Sequence, residues 1–173
     1  MSDFVIPADH PSSVANRAPE QPSAIDALCS AIVERLKIRL PGSVVIEHFP
    51  DKPDAYDFEG RNAAALVLYN GSRFDATGQR GAQALSEDVQ IEISLLVRSL
   101  RGPTGAYQLL HEIRTALHGQ SLAGCTGMRP ESAELQSERE GVYQFQFKFE
   151  CTLVSVPVKI SGVALPHSFS NRP

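Results

Sequence analysis

The stretch DVQIEISLLVR, at Asp88–Arg98, decides the fold. Along it every second residue is apolar, and the residues between them are mostly polar. Side chains of a strand point alternately to its two faces, so alternation of this kind predicts a strand with one buried face. Val142–Val154 alternates in the same way, with aromatic residues on its apolar side. Both stretches therefore predict long strands of an antiparallel sheet that is covered on one face. The apolar residues of the two strands are Val89, Ile91, Ile93, Leu95 and Val97, and Tyr143, Phe145, Phe147, Phe149, Cys151 and Leu153.

Two segments have the periodicity of amphipathic helices, with apolar residues three and four positions apart. The first follows Ser23, a favourable N-cap, with Asp26 three residues later as in a capping box, and Pro41-Gly42 ends it. We expect Thr104 to cap the second helix and Gly119 to end it. The apolar stripes are Ile25, Leu28, Ile32 and Leu36 in the first helix, and Tyr107, Leu110, Ile113 and Leu117 in the second.

Shorter strands complete the predicted sheet. We expect one at Ser43–Phe49 and one at Ala63–Tyr69, which is apolar throughout, as a strand buried on both faces would be, and which Asn70-Gly71 ends. Met128–Gln136 is expected to pair with the aromatic strand as a hairpin around Gly141. The order α-β-β-β-α-β-β predicts an α+β fold: a two-layer sandwich of a mostly antiparallel sheet with both helices packed on one face.

Proline marks both ends of the chain. Seven of the twelve prolines lie within the first 22 or the last 20 residues, and these ends lack sustained hydrophobic periodicity. We therefore expect an extended N-terminal arm at residues 1–22, a single core domain at 23–155 and an extended C-terminal arm at 156–173. A polar stretch, Ser72–Ser86, is expected to form a long loop within the core, and such loops are often functional.

The composition excludes several classes of protein. A chain of 173 residues, 42% of them hydrophobic, can build one core, and no run approaches the roughly 20 apolar residues that cross a bilayer. The net charge of −4 does not attract nucleic acid to the molecule as a whole. Residues 1–10 lack the basic and apolar regions of a secretion signal, so we expect none. Cys29, Cys125 and Cys151 are widely spaced, which predicts reduced thiols rather than disulfides or a zinc site.

No catalytic, cofactor-binding or metal-binding site is predicted. Asp51, Asp54 and Asp57 lack the spacing of a calcium-binding loop and indicate a solvated turn. The five histidines have no partners at metal-ligand spacing. Cys125, which stands in the segment GCTG, is expected to be the most exposed thiol, with nothing nearby to activate it as a nucleophile. The Gly102–Gly105 turn precedes a helix but lacks the residues of a phosphate-binding loop.

Two surfaces remain as candidates for contacts with other molecules. A polar sheet face is normally solvated, but it can also line a channel or meet another subunit. The turn before the second helix carries arginines that could form a contact between subunits. The residues of the polar face are Gln90, Glu92, Gln144, Gln146, Lys148 and Glu150, and those of the turn are Arg98, Arg101 and Thr104.

Several segments together resemble one protein family. They are Phe49–Pro53 followed by Tyr56, the strand Leu66–Tyr69, the segment SLRGPTGAYQLL at Ser99–Leu110, and Gly141–Tyr143. In order and spacing, over about residues 24–154, the set resembles the tail-terminator (tail completion) family of Mu-like contractile-tailed bacteriophages. The resemblance implies an α/β protomer whose sheet packs against helices.

The same resemblance implies a structural virion protein that is not an enzyme. A ring of six copies would cap the tail tube and sheath, end their polymerisation and present a surface to head-completion or neck proteins. Genomic DNA would pass transiently through the central hole. The implied location is the head-proximal end of the virion tail, after assembly in the host cytoplasm and without contact to a membrane. A closed ring needs two different complementary faces on each protomer, and a mildly acidic wall suits the passage of DNA.

In such a ring the polar sheet face and the long loop are the candidates for the lumenal or tube-facing surface. The loop candidates are Arg73, Phe74, Asp75, Gln79 and Arg80. Two alternatives remain open. One is a head-completion or neck adaptor protein. The other is a small ligand-binding or hydrolytic domain whose site would use His48, Asp51, Asp54 and the Gly102–Gly105 turn.

Overall fold

The predicted order of helices and strands is present in the computed structural model, which describes residues 22–74 and 85–155. A short 3-10 turn at Pro53–Ala55 is the one addition within these ranges. The α+β class is therefore confirmed. The elements are helix α1 (Ala24–Arg39), strands β1 (Val45–His48), β2 (Ala63–Phe74) and β3 (Leu85–Val97), helix α2 (Ala106–Leu117), and strands β4 (Arg129–Arg139) and β5 (Val142–Ser155).

Helix α1 begins as its sequence predicts. The Ser23 hydroxyl accepts a hydrogen bond from the Asp26 backbone N–H at 3.1 Å and donates one to the Asp26 carboxylate at 2.6 Å. This arrangement satisfies an N–H that the first turn leaves without a helical partner. Leu28, Ile32 and Leu36 on the apolar stripe are fully buried.

The sheet has the strand order β1-β2-β3-β5-β4. Only β1 and β2 run parallel, and the other neighbouring strands are antiparallel. Strand β3 lies at the centre and pairs with β5 from Leu85 to Val97. The β4–β5 hairpin turns through Glu140 and Gly141, which both have positive φ, as the favoured two-residue hairpin turns require.

The core lies between the two helices and one face of the sheet. The apolar side chains of β3 and β5 point to this face and are buried together with those of α1 and α2. Phe147 and Phe149 pack with their ring centroids 4.4 Å apart. Residues Ala63–Val67 of β2 are all buried, which confirms a strand covered on both faces.

Strand β2 is longer than the sequence predicts. The expected stop at Asn70-Gly71 is wrong, because the register shifts between Tyr69 and Gly71 and the strand then continues to Phe74. Gly71 has a φ of +134°, a conformation open to glycine, and so accommodates the irregularity without ending the pairing. Both ends of the expected loop Ser72–Ser86 therefore belong to strands, and residues 75–84 lie outside the described residues.

Helix α2 differs from the prediction at its start. Gly105, not Thr104, is the N-cap residue, and no side chain caps the helix. A Cβ atom at Gly105 would overlap the backbone of Arg101, so the turn can close only around glycine at this position. The Ala106 and Tyr107 N–H groups instead donate to the carbonyls of Ser99 and Leu100.

The buried face of α2 is also rotated from the predicted stripe. Ile113 and Leu117 are buried as expected, but Tyr107 is 55% exposed and Leu110 is only partly buried. The helix turns to the core its alanines and apolar residues that lie between those of the predicted stripe. The small alanine side chains let α2 approach the sheet closely. Its buried residues are Ala106, Leu109, Ile113, Ala116 and Leu117.

Candidate functional site

The six residues of the predicted polar face lie on the same side of the sheet, opposite the helices. We call this side the open face. Glu92 lies directly across from Lys148, and Gln90 lies across from Glu150. All six side chains are partly exposed, so they are accessible to a partner.

Two rows of hydrogen-bonded side chains cross the open face from β4 through β5 to β3. The rows are Gln136, Gln146 and Glu92, and Ser137, Gln144 and Ser94. In the first, the Gln136 amide donates to the Gln146 oxygen at 3.0 Å. In the second, the Gln144 amide donates to the Ser94 hydroxyl at 3.1 Å. A side-chain amide both donates and accepts, so it can link neighbours on either side.

Charged side chains occupy one corner of the open face. Arg129 lies 3.2 Å from the Glu150 carboxylate. The pKa of Glu131 lies above its ordinary value, mainly because its carboxyl hydrogen-bonds to that of Glu150. The same bond lowers the pKa of Glu150, with a further contribution from Arg129. The two carboxyls therefore titrate together, and their protonation is a property of the pair.

The segment Phe49–Arg61, between β1 and β2, lies over the other end of the open face, and we call it the cover segment. Its anchor is a triangle of side chains. The Tyr56 hydroxyl donates to Glu47 Oε1 at 2.7 Å and accepts from the Arg61 guanidinium at 2.7 Å, while Arg61 is 3.2 Å from Glu47. Burial, followed by the bond to Glu47, raises the pKa of Tyr56 to about 12.

The cover segment also binds the start of the turn before α2. Arg98 Nε donates to the Arg61 carbonyl at 3.0 Å, and its guanidinium lies 5.3 Å from the centre of the Phe58 ring. Ala64, Leu66 and Ser94 are buried beneath this region. The open face is thus polar only in part, since the cover segment lies over the apolar residues that β2 turns to this side. Periodicity missed the segment because its contacts join residues far apart in sequence.

The turn residues predicted to meet another subunit have different surroundings. Arg98 is engaged by the cover segment. Thr104 is half-buried. Arg101 is exposed and lines a depression of about 860 Å³, which we call the helix-end groove. The groove lies between the end of α1 and the start of α2, and its lining residues are Arg39, Leu40, Pro41, Arg101, Gly102, Pro103, Tyr107, Gln108 and Glu112.

The loop candidates are placed only at their beginning. Arg73 and Phe74 end strand β2, and Phe74 is 59% exposed. An exposed aromatic side chain at a strand end is suited to contact with another protein. Asp75, Gln79 and Arg80 lie outside the described residues.

The residues of the alternative ligand-binding or hydrolytic site line three different depressions. His48 and Asp51 share one with Asp57, Asp54 lines a second beneath the cover segment, and Gly102 lines the helix-end groove. The three aspartates are exposed, as a solvated turn requires. Within residues 22–74 and 85–155, no three His, Cys, Asp or Glu side chains form a group that could hold a metal ion. No helix in these ranges is both long and apolar enough to cross a membrane.

All three thiols are free and buried. The expectation that Cys125 is exposed is wrong, because the Thr126 N–H donates to the Thr152 carbonyl and holds this segment against β5. Cys125 is 3% exposed. Burial, together with the neighbouring Cys125, holds the pKa of Cys151 far above its usual range. Such a thiol is a poor nucleophile at neutral pH.

Comparison with known proteins identifies the fold and the family. A chain from the virion of a native gene transfer agent (GTA) particle has a similar fold, with a TM-score of 0.51 and 14% sequence identity. The match covers 77% of this chain and 98% of that one. No curated protein matches the sequence. The family model described as Gp37 protein matches residues 32–161, which include the second half of α1 and every later helix and strand. The chain therefore belongs to the Gp37 protein family.

Proposed function

We propose that the protein is a structural component of a phage-type virion rather than an enzyme. In this proposal it is a tail terminator: six copies form a ring that caps the tail tube and sheath and stops their polymerisation. The ring would meet the head-completion or neck proteins on its other side and let genomic DNA pass through its centre. The finished protein would be found at the head-proximal end of the tail.

The observation that carries the proposal is the extent of the match to the virion chain. Because 98% of that chain is covered, the likeness extends over its whole fold rather than a shared fragment. A second line of support is the resemblance to tail terminators. It rests on the order of the motifs at Phe49–Tyr56, Leu66–Tyr69 and Ser99–Leu110. The two lines of support are independent, since one rests on geometry and the other on local sequence.

The two edges of the sheet offer the two different surfaces that a ring of identical subunits requires. The edge strand β1 has four residues, whereas the edge strand β4 has eleven. Strand β4 is unsuited to random addition of a further strand, because it contains Pro130, two register shifts and the glutamates Glu134 and Glu138. These edges are two different surfaces of one protomer, and a contact between them closes into a ring when the rotation permits.

The open face is suited to line the channel. Its rows of side chains are mostly uncharged amides and hydroxyls that already bond to one another. Binding of DNA to a protein grows with the number of phosphates that lysine and arginine neutralise. A surface with few unpaired cations therefore lets DNA slide without being held.

Sedimentation and negative-stain imaging of the purified full chain test the proposal. We expect an annulus of about six times the 18.8 kDa protomer mass, alone at high concentration or at the ends of tail tubes. In this proposal the β4 edge meets a neighbouring protomer. The variant Glu134→Lys/Glu138→Lys, which reverses the charge of this edge, should therefore weaken the ring, whereas Glu59→Lys on the cover segment should leave it intact. A strict monomer that never associates with a tail end contradicts the proposal.

The tube-facing surface has its own test at the loop candidates. Phe74→Ser should leave the fold intact but weaken docking to the tube, so tails assembled with it lose length control. Tyr69→Ser, at another exposed aromatic residue on β2, is the matched control. Deletion of residues 79–84 should act like Phe74→Ser. Unchanged tail lengths with both loop variants would remove the loop from the tube-facing surface.

The second candidate, a head-completion or neck adaptor, predicts a different binding partner. Such a protein would bind purified capsids in the absence of tail tubes, whereas a terminator would bind tubes in the absence of capsids. Imaging the protein with each of the two particles separately decides between them.

A further inference from the structure

The helix-end groove is an apolar depression with basic side chains on two sides. Leu40 is buried at its base, and Pro41, Pro103 and the 55% exposed ring of Tyr107 provide apolar contact surface. With a volume of about 860 Å³, it can accommodate several side chains of an extended peptide.

The charges of the groove select an acidic occupant. Arg39 enters from the end of α1 and Arg101 from the turn before α2, and both are exposed. Neither forms an ion pair with another residue of the described ranges. The one acid in the lining, Glu112, accepts a hydrogen bond from the Gln108 amide. Two arginines therefore face the groove with their charges available to a partner.

One segment of the chain has the complementary sequence. Residues Asp3–Asp9 read DFVIPAD, an apolar run with an aspartate at each end. Extended, seven residues span about 20 Å. Pro7 favours the extended polyproline conformation that aromatic grooves commonly bind, and Tyr107 supplies such a ring. The C-terminal residues 156–173 carry Lys159 and Arg172 but no acidic residue, so their charge has the wrong sign for this groove.

The distance from this segment to the groove of the same chain can be spanned. Helix α1, with 16 residues, is about 24 Å long, and the groove lies at its far end from Pro22. The twelve residues 10–21, between Asp9 and Pro22, reach up to about 40 Å when extended. A tether of this length gives a local concentration in the millimolar range, so weak intrinsic affinity is sufficient for binding.

We propose that Asp3–Asp9 docks in the helix-end groove of its own chain. The two aspartates pair with Arg39 and Arg101, and the apolar run covers Tyr107 and Leu40. The groove is then covered in the free protomer, and a virion partner that used the same surface would have to displace the segment. The inference concerns a single chain and does not depend on ring formation.

Hydroxyl-radical footprinting of Tyr107 in the full-length chain tests this docking. We expect Asp3→Lys/Asp9→Lys and Arg39→Glu/Arg101→Glu each to increase the oxidation rate of Tyr107 several-fold. Combining all four substitutions should restore protection, because the charges are again complementary. Glu20→Lys, which changes a charge of the same arm outside the segment, should leave Tyr107 unchanged, and Tyr69 serves as an internal reference.

Two results would overturn the inference. Equal oxidation of Tyr107 in the wild type and the Asp3→Lys/Asp9→Lys variant would show that the segment does not cover the groove. Protection that rises with protein concentration would show that a second copy, rather than the same chain, is the occupant. Thermal melting of each variant checks that the fold is intact, which we expect because Arg39 and Arg101 are both exposed. Failure of the protein to form a ring would leave the inference standing.

Discussion

The two faces of the sheet are built on different principles. The helix-covered face is filled by interlocking apolar side chains such as Phe147 and Phe149, whereas the open face is held by hydrogen bonds between polar side chains and by the cover segment. Stability therefore depends mainly on the first face, and the second can change its chemistry to suit a partner. Substitutions of comparable kind on the two faces test this division.

The largest effect is expected from Phe147→Asp. Phe147 is 4% exposed and lies in the core, so an aspartate there is a buried charge without a partner. The expected loss is about 4 kcal/mol or more, a large part of the roughly 5–15 kcal/mol by which a folded domain is stable. Circular dichroism of the purified variant measures it.

Ser132→Asp is the matched control for this charge. Ser132 lies on the open face directly across from Lys148, which can pair with the new carboxylate. We expect a change within about 0.5 kcal/mol. If Phe147→Asp folds as well as Ser132→Asp, the assignment of the two faces is reversed.

A smaller loss is expected from Gly105→Ala, which tests how the helix layer is fixed to the sheet. The added Cβ would overlap the backbone of Arg101, and the turn would have to shift at a cost of about 1–3 kcal/mol. Gly42→Ala is the control, because no atom beyond its two chain neighbours lies within 4 Å of the Cβ position there. Urea unfolding of both variants gives the comparison, and equal midpoints would show that the close approach carries no cost.

Tyr56→Phe weakens the anchor of the cover segment without touching the helix-covered face. It removes the hydroxyl that links Glu47 and Arg61, and about 1 kcal/mol of stability is expected to be lost. Tyr69→Phe, which removes an exposed bond to Ser72, should cost less. Equal losses in the two variants would contradict a specific role of the anchor.

The raised pKa of Tyr56 predicts that the stability of the fold decreases at alkaline pH. The pKa of Tyr56 is about 12 in the folded chain, against an ordinary value of 10.0. The folded state therefore retains the proton longer than the unfolded state, so the stabilisation is complete below pH 10 and is lost as pH rises to 12. Unfolding free energies measured from pH 9 to pH 12 should converge for the wild type and Tyr56→Phe. The chain has no tryptophan, so absorbance at tyrosine wavelengths also follows the titration.

The smallest effect is expected from Glu131→Gln on the open face. The amide keeps a hydrogen-bond donor for Glu150 and removes the carboxyl whose pKa Glu150 raises. Because the folded pKa of Glu131 is raised, the variant should be slightly more stable than the wild type above that pKa, and the difference should vanish in acid. Glu131 is exposed to solvent, so the gain is a few tenths of a kcal/mol at most. Thermal melting at pH 7 and pH 4 measures it, and a constant difference would exclude the carboxyl pair as its cause.

Local patterns predicted the helix-covered face well. Alternation along β3 and β5 and the cap at Ser23 are set by residues close in sequence, and the structure confirms them. The start of α2 failed because Thr104 is the better capping residue in isolation, whereas the fold requires glycine at residue 105 for a backbone contact. The amino-acid types in this turn do not indicate that the backbone of Arg101 lies so close to Gly105.

The open face was predicted less completely. Alternation identified its six polar residues, but the cover segment depends on contacts between Glu47, Tyr56 and Arg61 that no periodicity encodes. Cys125 was misplaced for the same reason, since a bond between Thr126 and Thr152 brings its segment to β5. The loop candidates and the channel role of the open face remain predictions.

The central position of β3 has a consequence for how the chain reaches its native state. Strands β2 and β3, and strands β4 and β5, are neighbours in sequence, but the join between β3 and β5 brings Leu85 opposite Ser155. Such a distant pairing closes a large loop and slows the search for the native topology. Refolding should therefore be limited by the meeting of two separately formed hairpins, and helix α2, which lies between them in the chain, gains its complete platform only after that encounter.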